Sequence, residues 1–166
     1  VVAIADIGEV TVGGDWGKDE PQTAEWFQVG CLRGVDLHAF ATKGYSEVPL
    51  RWVKAKSLSQ RRITSEDVIV EGSGECGRAL AGGEHIERLV GHPVLYSNFC
   101  KRVRFKNSVV ARYVEHLLND MVASGVMAQY RTGTTIPNLN MQALCEGHRF
   151  LLPPDDLLSR FVAVLL

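Results

Sequence analysis

No apolar run in the 166-residue sequence approaches the roughly 20 residues that a membrane-spanning helix needs, so none is expected. Val1-Val2-Ala3-Ile4 leads straight to Asp6 with no basic stretch before it, so no signal peptide is expected either. The lack of an initiating Met suggests a fragment of a longer chain. Cysteine is scarce: Cys31, Cys76, Cys100 and Cys145 are scattered and form no Cys-x-x-Cys pair. That pattern fits free, mostly buried thiols in a reducing cytoplasm rather than a disulfide framework. Cys145-Glu146-Gly147-His148 places two ligands at metal-like spacing, but a structural zinc site needs four and no second pair exists, so no metal is expected. Net charge is −1, without the cation excess of a protein held by phosphate attraction alone.

Catalytic motifs are also missing. There is no Gly-x-Ser-x-Gly elbow, His-Glu-x-x-His pair, deaminase zinc pattern or Asn-Pro-Pro-Tyr-type motif, since Leu precedes Pro153-Pro154. His38, His85, His92, His116 and His148 have no evident nucleophile partner in sequence. Gly17-Lys18 fails as a phosphate loop, because its spacing from Gly13 is one residue short and Asp19 stands where a hydroxyl should bind magnesium. Gly72-Ser73-Gly74-Glu75-Cys76-Gly77 matches Gly-x-Gly-x-x-Gly after an apolar strand, but a dinucleotide site needs a helix to start there. Gly82-Gly83 leaves no room for one, and a hairpin joining strands 67–71 and 77–81 is expected instead.

What is present is ordinary for one globular domain: 46% hydrophobic and 22% charged residues. Charge is segregated along the chain. Residues 1–30 hold one cation and six acids, 31–62 seven and two, 63–97 two and six, and 98–131 six and two. Such blocks can fold into one basic and one acidic face. Val1–Val12, 25–29, 48–53, 93–99 and 100–106 read as strands, 54–60 as a short helix and 31–44 as irregular. Val109–Ala123 is the clearest helix, with Val110, Val114, Leu117 and Met121 on one side, widened by Tyr113 and Leu118. Ser108 is its expected cap, Gly125 its end, and His116 is expected to be partly buried beside the stripe.

Two basic stretches can follow a phosphate backbone or simply form solvated faces. One is Arg51, Lys54, Lys56, Arg61 and Arg62. In the other, Arg102, Arg104 and Lys106 share one face of a strand, and alternate residues lie about 6.8 Å apart, near the spacing of successive phosphates.

The most distinctive stretch is Arg131-Thr132-Gly133-Thr134-Thr135-Ile136-Pro137-Asn138-Leu139-Asn140, nearly all turn or capping residues. Gly133 permits a tight turn, and Asn138 or Asn140 can cap a short following helix. A short amphipathic segment from Met141 to Leu144 and an apolar strand running into Leu152-Pro153-Pro154 follow. This order resembles the C-terminal end of a target recognition domain in the DNA specificity (S) subunits of type I restriction–modification systems. The similarity in layout runs from Ile7-Gly8-Glu9-Val10 to the end, and residues 131–154 are its specific part. In such subunits a strand like 67–71 leads into a small-residue Ser-Gly loop. The family usually continues Leu-Pro-Pro with a Glu-Gln-containing helix start, where this chain has Asp155-Asp156-Leu157-Leu158.

The expected fold is mixed α/β, of the α+β kind: a bent, mostly antiparallel sheet with a few short helices and long loops. Residues 1–152 would form the recognition domain and 153–166 the start of a spacer helix, docking through Leu158, Phe161 and Leu165. The resemblance implies a non-catalytic, cytoplasmic prokaryotic component that reads one half-site in double-stranded DNA. Its partners would be a methyltransferase (modification) subunit that flips the target adenine and a nuclease (restriction) subunit, and a homodimer stays open. No cofactor is expected on this chain; S-adenosylmethionine would bind the methyltransferase. Candidate DNA contacts are Arg33, Arg51, Lys54, Ser73, Arg78, Lys101, Arg102, Arg104, Arg131, Thr134, Thr135 and Asn138. On this reading Arg102→Ala or Arg131→Ala weakens DNA binding without unfolding the domain. The rivals are a small nucleotide-binding enzyme built on Gly72–Gly77 and a protein-interaction domain.

Overall fold

The structure, a computed structural model, describes residues 1–165. In chain order the elements are β1 (Val2–Ala3), α1 (Ile4–Ile7), β2 (Gly8–Val10), β3 (Trp26–Leu32), α2 (Gly34–Lys43), β4 (Leu50–Lys54) and α3 (Ala55–Arg61). Then come β5 (Asp67–Glu71), β6 (Ala79–Ala81), α4 (Glu84–Val90), β7 (Val94–Tyr96), β8 (Cys100–Phe105) and α5 (Ser108–Ala123). A 3-10 helix (Val126–Tyr130), β9 (Arg131–Thr132), β10 (Asn138–Leu139), α6 (Met141–Gly147), β11 (Arg149–Phe150) and α7 (Asp155–Leu165) complete the chain. The architecture is α+β with mostly antiparallel pairing, as the sequence suggests.

The centre is a four-stranded antiparallel sheet ordered β2-β8-β5-β6. A three-stranded sheet ordered β4-β3-β7 lies beside it, and its β3–β7 pair is parallel. Strand β5 is buried along its whole length, which is why it reads as an unbroken Val68-Ile69-Val70 run. Val68 and Val70 point into a core shared with α5, α6 and α7, through Val114, Leu144 and Leu158. Ile69 points the other way, into a core with Leu32, Leu37 and Tyr96. The expected hairpin is present, with Val68 opposite Ala81 and Val70 opposite Ala79.

Asp67, fully buried, organises the sheet. Its carboxylate accepts both Nε and Nη2 of Arg104 at 2.8 Å, and the Thr64 N–H at 2.8 Å. Arg102 is 3% exposed, with Nε at 3.8 Å from Asp67. It donates to Thr11 Oγ1 at 2.6 Å and to the Gln60 carbonyl at 2.9 Å, with its guanidinium 5.6 Å from the Tyr96 ring. The expectation of a solvent-facing Arg102, Arg104 and Lys106 track is therefore corrected. The alternation holds, but Arg102 is sealed inside and Arg104 is forked onto a carboxylate. Lys106 stands apart, near Asp155 at 3.5 Å.

Other expectations also change. The strand expected over Val1–Val12 is broken by α1, whose start is held by Ala3 N–H donating to Asp6 Oδ2 at 2.7 Å. The segment 31–44 is not irregular. It holds α2, which starts where the Asp36 carboxylate accepts the Arg33 N–H at 2.8 Å and ends at Gly44 with φ 77°. Only Leu37 and Phe40 mark its apolar face, too short a stripe to reveal a helix. Asn107, not Ser108, caps α5, accepting the Val110 N–H at 3.0 Å. His116 is exposed, its ring edge-on to Phe161 at 5.2 Å. The helix α7 folds back on α5 through Leu158 and Val162, four apart, while Phe161 meets Tyr113 and Leu165 stays half exposed.

All four cysteines are free and buried. Burial pushes the Cys31 and Cys100 thiols up to about 12. Both should resist a thiol reagent at neutral pH until the protein unfolds, as read by the number of thiols labelled across a urea series. Asp67→Ala should cost about 3–5 kcal/mol in the same series, because it strands Arg102 and Arg104 beside a core. Arg102→Ala should lower stability too, so a loss of binding in that variant alone says nothing of contact.

Candidate nucleic-acid interface

A cleft of about 1320 Å³ opens where the loop 13–18, β3, β4 and α3 face the start of α2, the turn before β8 and the turn after β5. Its rim carries Lys18, Arg33, Lys54, Lys56 and Arg61, with Trp16, Trp26 and Phe99 among them. Gln60, Ser73 and Asn98 supply polar groups that both donate and accept. The carboxylates are Asp15 and Glu71, and Glu71 is neutralised by Arg78, whose Nε and Nη2 donate at 2.5 and 2.8 Å.

The loop 13–18 is built tightly against the sheets. Gly14 lies so close to the Ser97 carbonyl that a Cβ there would collide with backbone. Lys18 and Trp52 exchange backbone hydrogen bonds of 2.9 Å each way, which extends β4 by one bridge. Gly17, at φ 67°, allows the bend before it. The Arg51 guanidinium sits 4.6 Å from the Trp16 ring, donates to the Trp16 carbonyl at 3.0 Å and pairs with Asp19. Lys54 Nζ lies 5.9 Å from the Trp26 ring, directly across the β3–β4 pairing. Burial raises the Asp15 pKa, but hydrogen bonds from Ser57 (2.5 Å) and the Gly17 N–H (2.9 Å), with the charges of Arg61 and Lys18, outweigh it. The net result holds Asp15 below the usual carboxylate range.

The stretch 131–140 forms a hairpin, β9 against β10, turning at Gly133 with φ 85°. It docks on the Gly72–Gly77 turn. The Leu139 N–H donates to the Gly72 carbonyl at 2.8 Å, Gly74 N–H to the Pro137 carbonyl at 3.0 Å, and Arg131 Nη2 to the Glu75 carbonyl at 2.5 Å. Asn140 caps α6, accepting the Ala143 N–H at 3.0 Å. The two loops that stand out in the sequence thus become one unit. The Gly72–Gly77 turn leads into strand β6, not into a helix that starts at its glycines.

Of the candidate contacts, Arg33, Lys54 and Ser73 line the cleft, and Arg51 backs its Trp16 wall. Arg33 is itself paired with Asp36, and Arg78 with Glu71, below Ser73. Lys101 lies against Gly72. Thr134, Thr135 and Asn138 are exposed on the hairpin, but only Ile136 of that tip lines the cleft. Arg102 and Arg104 lie in the framework. Sequence reasoning missed Trp16, Lys18, Trp26, Asn98 and Phe99 as members of one site; Lys56 and Arg61 were legible as part of the basic stretch 51–62. Lys18 joins them through its bridge to Trp52, a contact that no local pattern announces.

No protein-family model matches the sequence, and no curated protein matches it. Among solved structures, the chain is similar to the S subunit of a type I restriction–modification system from M. genitalium. The TM-score is 0.51 at 11% identity, over 87% of this chain and 32% of that one. At that identity the likeness is one of fold, and the chain spans about a third of that subunit's length. Among the described residues no helix is long and apolar enough to cross a membrane.

Two predictions test this site. Gly14→Ala should loosen the loop and destabilise the protein by about 1–3 kcal/mol, whereas Gly13→Ala, with open space at its Cβ, should be silent by thermal melting. Asp15 has a depressed folded pKa, so its stabilising contribution is present above the ordinary carboxylate range and fades as pH falls through the lowered value. Asp15→Asn should flatten the acid limb of a stability–pH curve.

Proposed function

We propose that the chain is a sequence-specific double-stranded DNA recognition module, acting as the specificity component, or part of one, of a type I restriction–modification system. The observation that carries this reading is the cleft, which unpaired lysines line together with groups able to read base edges. Lys18, Lys54 and Lys56 stand in no ion pair among the described residues, and they line the same cleft as Gln60, Ser73 and Asn98. Lysines on the rim position phosphates, and the amides and hydroxyl read bases between them. The fold shared with an S subunit supports the same reading.

In this role the chain performs no chemistry. It addresses a methyltransferase subunit, which holds S-adenosylmethionine, and a nuclease subunit to a half-site. Docking to such partners would use the outer face of α7, where Leu157, Val164 and Leu165 are exposed and Phe161 is half covered. Leu158 is closed off in the core. A homodimer would place two such readers on one split site. The rival nucleotide-binding enzyme loses its basis because the Gly72–Gly77 turn runs into strand β6 and no helix starts at its glycines.

The test is selection of bound duplexes from a random pool across a salt series. A short enriched motif and a steep salt slope are expected. Lys54→Ala with Lys56→Ala should make the slope shallower by about 2 (roughly 0.9 per phosphate contact) without changing the melting temperature. Salt-insensitive binding, or no binding at low salt with the methyltransferase subunit present, would overturn the proposal.

A further inference from the structure

Phe99 and Ile136 are 62% and 64% exposed, and both belong to the lip of the cleft. Neither side chain belongs to any hydrophobic core of the fold. A single exposed apolar residue needs no explanation. Here two of them stand on separate loops, and the backbone fixes their positions. The Phe99 carbonyl accepts the Gly72 N–H at 2.8 Å, and the turn that carries Phe99 is closed by Cys100 N–H donating to the Ser97 carbonyl at 2.9 Å. On the other side the Pro137 carbonyl, next to Ile136, accepts the Gly74 N–H at 3.0 Å. Ser73 therefore lies between the two anchoring bonds, with Asn98 adjoining Phe99.

We infer that Phe99 and Ile136 are wedges that enter the base stack of the DNA held in this cleft and kink it, so that Ser73 and Asn98 reach bases opened by the insertion. This rests on the DNA reading above. Side chains that unstack a base step are bulky, apolar and rigidly presented, and they sit beside cations that hold the backbone on either side of the step. Phe99 and Ile136 meet the first conditions, and Lys18, Lys54 and Lys56 line the same cleft, available to hold the backbone. The same cations argue against an apolar protein segment as the occupant, since it would leave them uncompensated. A kink also gives sequence preference at steps the protein never hydrogen-bonds, because pyrimidine–purine steps unstack most easily.

The experiment uses the full chain and a duplex recovered from the random pool, labelled at both ends for energy transfer, with 2-aminopurine placed in turn at each adenine of the motif. Binding should shorten the end-to-end distance and raise 2-aminopurine emission at one step. Phe99→Ala with Ile136→Ala should abolish both signals and lower affinity roughly ten- to a hundredfold. The melting temperature should stay unchanged, as befits side chains outside the core. Phe99→Leu, which keeps an apolar wedge, should retain most of the shortening. A duplex that stays straight with the unaltered protein, or bends equally with the double variant, would overturn the wedge while leaving DNA recognition standing. Failure of the unaltered chain to retain any duplex with the methyltransferase subunit present would overturn both.

Discussion

The carboxylate of Asp67 is the constraint on which the sheet depends. Buried without solvent, it is tolerable only because Arg104 forks onto it and Thr64 donates to it, with Arg102 close by. That need holds β8 against β5, with Asp67 opposite Arg104 and Ile69 opposite Arg102. Arg102 then reaches past the sheet to Thr11 and to the carbonyls of Gln60 and Arg62, tying the strand to the end of β2 and to α3. The helix α3 carries the cleft's Lys56, Gln60 and Arg61. A charge buried in the centre therefore helps to place charges at the rim.

Four arginines and four lysines are engaged differently. Arg33, Arg62, Arg78 and Arg104 each bring two guanidinium nitrogens to one carboxylate, as their planar fork favours. Lys18, Lys54, Lys56 and Lys101 stand in no such pair among the described residues. This division also explains the charge blocks in the sequence. Arg51 meets Asp19, Arg62 meets Glu87, and Arg104 meets Asp67, so neighbouring blocks of opposite sign cancel across the fold instead of forming two separate faces. The near-zero net charge is compatible with a cationic cleft because Asp15 and Glu71 are the acids that line it, and Glu71 is paired with Arg78.

What was legible in the sequence was local. The hairpin of β5 and β6 is marked by glycines and an apolar run, α5 by a long stripe, and the turn within 131–140, though not its hairpin pairing, by Gly133 and Pro137. The helix α2 was hidden because Leu37 and Phe40 are its only buried apolar residues, and its start is fixed by a carboxylate three residues after the one whose N–H it accepts. The membership of the cleft was hidden for a different reason. Trp16 and Lys18 arrive through a glycine loop laid against Ser97 and Trp52, over separations that no periodicity encodes. The alternation of Arg102 and Arg104 was read correctly, but period alone does not say which face of a strand meets solvent.

The docking of the 131–139 hairpin onto the Gly72–Gly77 turn gives the cleft lip its rigidity. Strand β5 carries Asp67 at one end and Glu71 at the other, and both carboxylates are held by bidentate arginines. The turn leaving Glu71 is fixed by Gly77 N–H donating to the Glu71 carbonyl at 2.8 Å, and it then receives the hairpin through backbone groups alone at Gly72 and Gly74. Because those bonds use main-chain atoms, the side chains of Ser73, Thr134, Thr135 and Ile136 can vary without loosening the lip. In the proposed DNA-reading role, this arrangement separates the side chains that would meet bases from the buried ion pairs that position them.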